Sequence, residues 1–149
     1  MLSTFLKRLQ GGAETGPLAA DDARTAVATL LVIAAHADHL YDAAERIMIE
    51  RVLAARYGLS DAAAASLRAE GEVAEAAALD LYRFTTLIKQ SIPIEERVSV
   101  LEALWRVVLA DGVREAHEDT MMRRVTDLLG LAPRESVEAR QRVQAGRTG

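Results

Sequence analysis

The chain has 149 residues, of which 50% are apolar and 27% charged; that size and balance suit one globular domain and not a disordered segment. Eighteen Lys and Arg against twenty-two Asp and Glu leave a formal net charge of -4. The basic residues are scattered, without the stripe that phosphate neutralisation needs, so nucleic acid is not an expected partner. The absence of cysteine excludes disulfides, thiolate nucleophiles, thiolate zinc sites and thiol redox chemistry, and makes the cytoplasm the expected compartment.

At the start, Leu2, Phe5, Leu6 and Leu9 recur at helical spacing until Gly11-Gly12 and Gly16-Pro17 interrupt them. Residues 1–20 therefore read as a short docking segment and linker. Lys7 and Arg8 follow too few apolar positions for a secretory signal; beside Phe5 and Leu6 they make a very short amphipathic anchor, the one feature pointing to peripheral membrane contact. Asp21-Asp22 then supply a helix start. The helix continues to Ala37, and its stretch from Ala26 is interrupted only by Thr29 and His36. That is shorter than the roughly 20 residues a bilayer requires, so it is expected to be a buried central helix.

After a corner at Asp38 to Asp42, the segment Ala43 to Tyr57 places Ile47, Met48, Ile49 and Val52 on an apolar stripe before Gly58 stops it. Ser60 caps an alanine-rich helix to about Ala78, with Gly71 as a weak point. Leu79 to Ser91 continues helically after a bend, with Leu81, Phe84 and Leu87 in register. Pro93 stands near the start of a helix whose buried face is Val98, Leu101, Leu104, Trp105 and Val108. A second corner at Asp111-Gly112 leads into Glu115 to Leu129, closed by Gly130, and Pro133 opens a polar helix. No stretch shows the apolar–polar alternation of a strand. The expected fold class is all-α: a compact helical bundle of about seven helices with two pseudo-repeated helical hairpins. It forms one domain over residues 21–145, and 146–149 fray.

Displacing the chain by 73 residues aligns Ala37-Asp38-His39 with Ala110-Asp111-Gly112, Asp42 with Glu115, Glu45 with Glu118, and Arg51-Val52 with Arg124-Val125. Both copies then close with Gly-Leu. In each copy the acids stand at i, i+4 and i+7, namely Asp38, Asp42, Glu45 and Asp111, Glu115, Glu118, so a helical path puts them on one face. Oxygen ligands of this kind suit hard divalent cations, Ca²⁺ or Mg²⁺ above all. Neither corner has the twelve-residue spacing of an EF-hand. A second explanation needs no metal: Asp42-Ala-Ala-Glu45 fits a capping box, and carboxylates at a helix start are stabilised by the macrodipole. All three histidines, His36, His39 and His117, lie in or beside the corners and make Zn²⁺ the alternative cation.

The duplicated corner resembles the TerB family, named for tellurite resistance, whose members carry Ala-Asp-Gly followed by acidic residues and a Glu at the start of the next helix. The second copy, Ala110-Asp111-Gly112 through Glu115 to Glu118, matches that pattern. In the first, His39 stands where the family usually has glycine. The intervening Asp80-Leu81-Tyr82-Arg83-Phe84 also looks like the family, so the resemblance spans roughly Ala23 to Leu131. It implies that the acidic positions are a metal site and that the protein serves stress or tellurite-resistance-type responses in the cytoplasm.

With no cysteine, any part in oxyanion resistance is indirect. No Gly-x-Ser-x-Gly, phosphate loop or dinucleotide fingerprint is present, and carboxylates on exposed helix starts lack the pocket that acid–base work needs. The expected function is a non-enzymatic binding or scaffold module with protein partners, divalent-metal-linked. The alternative is a structural interaction domain without metal, offering a dimerisation face for a homodimer.

Overall fold

The computed structural model describes residues 6–7, 20–36, 41–77, 81–110 and 116–148, with the backbone alone given at positions 81, 83, 116–119, 147 and 148. Among these residues there is no strand, and the long helices are α1 (Ala20–Ala35), α2 (Ala43–Tyr57), α3 (Asp61–Ala77), α4 (Leu81–Ser91), α5 (Ile94–Val108), α6 (Ala116–Leu128) and α7 (Pro133–Thr148). The all-α bundle expected from the spacing of apolar residues is the observed one. α7 runs three residues past the domain boundary drawn at 145.

Helix α1 is the hub, packing on α2, α3, α4, α5 and α6. Its sequence explains this, because Ala26, Val27, Ala28, Leu30, Leu31, Val32, Ala34 and Ala35 are all buried; a helix apolar on every side must be enclosed by others. The two threonines in it are accommodated by folding back on the helix. Thr25 Oγ1 donates to the Asp21 carbonyl at 3.2 Å and Thr29 Oγ1 to the Thr25 carbonyl at 2.6 Å. Asp21 and Asp22 fall within the first turn, near the positive end of the helix. Leu6 also rests against the core.

Tight packing of α1 on α3 depends on Gly71. This glycine, a weak point in its helix by sequence, lies in a continuous α3, and a Cβ at that position would lie 2.9 Å from the Ala28 carbonyl carbon and 3.0 Å from its oxygen. Gly71 is the place where two helix backbones touch. A correction concerns Ile47, which is 49% exposed while Ile49, Val52 and Leu53 are buried. Residues two apart on a helix are turned by about 200°, so Ile47 and Ile49 cannot share the core face.

The repeat is larger than a hairpin. Helices α1, α2 and α3 correspond in position to α5, α6 and α7, their ends displaced by 71 to 74 residues, and in each copy the third helix packs on both the first and the second. Both middle helices end alike: Gly58 and Gly130 adopt φ of 64° and 75°, and the next N–H, from Leu59 or Leu131, reaches back to the carbonyl of Ala54 or Thr126 at 3.0 Å. This is the left-handed glycine stop with its wrapped-back hydrogen bond. The second stop is further tied by Arg97, whose Nη1 donates to the Leu129 carbonyl and whose Nε donates to that of Ile92. Trp105, expected in the core, is 3% exposed.

Candidate functional site

The first corner enters α2 through the capping box that its sequence suggested. Glu45 N donates to Asp42 Oδ1 at 3.0 Å, and Asp42 N donates to Glu45 Oε1 at 3.2 Å. Two otherwise unsatisfied helix-start N–H groups are thereby paired with two carboxylates. Glu45 is 1% exposed, and such deep burial of a carboxylate is tolerated only where its oxygens are engaged. Asp42 stays on the surface.

Around this cap lies a network joining the corner to α3. Tyr41 Oη donates to Glu72 Oε2 at 2.7 Å, and the same oxygen accepts from Arg68 Nη1 at 2.6 Å. Arg68 Nε donates to Glu50 Oε2 on α2 at 2.7 Å. One guanidinium thus clamps carboxylates from two helices, with the fork geometry that arginine alone provides. His36, at the end of α1, meets the Tyr41 ring edge-on at 4.6 Å and places Nδ1 3.4 Å from Glu75 Oε2. The Arg46 guanidinium lies 5.8 Å from the centre of the Tyr41 ring.

Electrostatics follow from these contacts. Burial and the hydrogen bond to Glu72 push the Tyr41 phenol above its ordinary value of 10.0, with Arg68 pulling the other way. For Arg68, burial opposes the charged form, but the hydrogen bonds with Glu50, Tyr41 and Glu72 outweigh it and raise its pKa. The first corner is therefore a cap backed by a network in which one guanidinium bridges two carboxylates.

Of the six acids expected to ligate metal, Asp42 and Glu45 are brought together, as partners in the cap. Asp38, Asp111 and Glu115 lie outside the described residues, and Glu118 is placed only by its backbone in α6. Of the histidines, the side chain of His36 is described; His39 and the side chain of His117 are not. Among the described residues, no group of three or more His, Asp or Glu side chains is arranged to hold a metal ion. In the first corner one oxygen each of Asp42 and Glu45 is turned toward a backbone N–H group.

Sequence reasoning missed Tyr41, Glu50, Arg68, Glu72 and Glu75. Only the i, i+4 pair Arg68–Glu72 leaves a trace in spacing. The others meet across 18, 31 or 39 positions.

This duplicated all-helical arrangement, with a capped acidic corner opening the middle helix of the first copy, defines a class of helical module. The family model described as Tellurite resistance protein TerB matches residues 24–141, most of the chain, and the chain belongs to that family. No curated protein and no solved structure matches it. Among the described residues no helix is long and apolar enough to cross a membrane.

Proposed function

We propose that this protein is a cytoplasmic, non-enzymatic binding or scaffold module of the TerB type, acting through protein partners in stress or tellurite-resistance-type responses. Its second acidic corner, Asp111, Glu115 and Glu118, would hold a hard divalent cation, Ca²⁺ or Mg²⁺. The observation that carries the reading is the family match over residues 24–141.

The contrast between the corners supports placing the cation at the second. Asp42 and Glu45 already accept from each other's backbone, and the two acids behind them, Glu50 and Glu72, are bridged by Arg68. At the equivalent position before α6 the sequence has Glu115, which is not among the residues that cap well. Gly112 replaces His39 and keeps the family's Ala-Asp-Gly. Asp111, Glu115 and Glu118 stand at i, i+4 and i+7, and a bound cation would relieve the repulsion among carboxylates at that spacing. Loading would then alter the surface around the start of α6.

The capping box at Asp42 favours a second reading for that corner, in which both acidic clusters are only helix starts and the domain works without metal. Calorimetric titration of chelator-treated protein with Ca²⁺, Mg²⁺, Mn²⁺ and Zn²⁺ separates the two. Saturable binding that disappears in Asp111→Asn with Glu118→Gln supports the cation site. Silence for every ion leaves the metal-free interaction domain.

A further inference from the structure

Apart from the acidic corners, the second copy contains a cleft of about 420 Å³ between α5, α6 and α7, within the size range of small-molecule sites. Its floor is apolar, formed by Trp105, Met122 and Leu131, all buried. On one wall the Arg140 guanidinium lies 5.7 Å from the centre of the Trp105 ring. Arg140 Nε is shielded from solvent and has no hydrogen-bond partner among the described residues. A buried guanidinium N–H left unpaired is costly, and native proteins seldom leave one so.

Two further observations specify what would pair with it. The Trp105 indole N–H donates to Ser136 Oγ at 3.1 Å, which occupies an acceptor site of that hydroxyl and leaves its own hydrogen to donate. The charged groups lining the cleft are Arg123, Arg140 and Asp127, a balance of one positive charge. A monoanion with an apolar body therefore matches both the donors and the floor, whereas a polyanion would meet too few cations and would crowd Asp127.

We propose that this cleft binds a small organic carboxylate, its charged end held by the Arg140 guanidinium and the Ser136 hydroxyl, its apolar or aromatic body lying over Trp105 and Met122. The proposal does not depend on cation binding at the corners.

Trp105 is the chain's single tryptophan, so its emission reports the cleft directly. The probes are 4-phenylbutyrate and its uncharged counterpart 4-phenyl-1-butanol. The expected result is a saturable change in Trp105 emission with the carboxylate, about tenfold or more tighter than with the alcohol. Arg140→Gln should weaken carboxylate binding by a similar factor while leaving alcohol binding unchanged, and Asp127→Asn should tighten it. Should Arg140→Gln fail to fold, Val137→Phe decides the matter. Val137 is an exposed residue of the cleft wall, and a larger side chain there should block the carboxylate without disturbing helical content. Equal affinity for acid and alcohol, wild-type binding by either variant, or no saturable change with the carboxylate overturns the proposal.

Discussion

At Asp42, one residue serves two separable purposes, since its side chain is both a hydrogen-bond acceptor for the start of α2 and a negative charge in the first corner. Asparagine keeps the first property and lacks the second. Asp42→Ala should cost about 0.5–2 kcal/mol by removing the cap, and Asp42→Asn less than about 1 kcal/mol; paired denaturant titrations measure the difference. Tyr41 makes a second prediction at this scale. Its phenol titrates above the usual 10.0 because it is buried and hydrogen-bonded to Glu72. With the folded-state value raised, its contribution to stability is complete below the ordinary value of 10.0 and is lost as pH climbs from there through the folded value. Wild-type protein should lose stability above pH 10 more steeply than Tyr41→Phe, read from thermal midpoints across alkaline pH. The Asp42–Glu45 pair was legible in the sequence because a capping box has a fixed local spacing. The Tyr41, Glu72, Arg68 and Glu50 chain was not, because its members meet only once α2 lies on α3.

Among the elements, the apolar periodicity located every long helix, and glycine stops marked the ends of both middle helices, since only a residue tolerant of positive φ fits there. What periodicity could not say is which glycine is a breaker and which is a contact. Gly71 and Gly146 look alike as glycines inside alanine-containing helices, yet a Cβ at Gly71 would collide with the backbone of Ala28, whereas at Gly146 it would meet nothing within 4 Å. Alanine is the better helix former at both sites by about 1 kcal/mol. At Gly71 the forced separation of α1 and α3 should outweigh that gain, for a net loss of about 1–2 kcal/mol. Gly146→Ala should raise or preserve the thermal midpoint and Gly71→Ala should lower it. The threefold helix unit of the repeat was also only partly legible: the matching residues cluster around the corners, and the third helix of each copy, alanine-rich in one and charged in the other, has kept its place but not its composition.

On the scale of the whole molecule, the two copies share helix order and endings but differ in how their corners are used. The first copy holds its corner with a cap, a guanidinium clamp and a packed tyrosine. The second has the family's Ala-Asp-Gly, a glutamate in place of the capping aspartate, and an apolar cleft against the helix that follows its corner. The proposed division of the two copies is one for scaffold and one for ligand. Its most direct test is the stoichiometry of Mn²⁺ bound to chelator-treated protein, counted by electron paramagnetic resonance in the wild type, in Asp42→Asn, and in Asp111→Asn with Glu118→Gln. One ion per chain in the first two and none in the third is the predicted result; no bound ion in the wild type, or binding that survives in the double variant and is lost in Asp42→Asn, would contradict it.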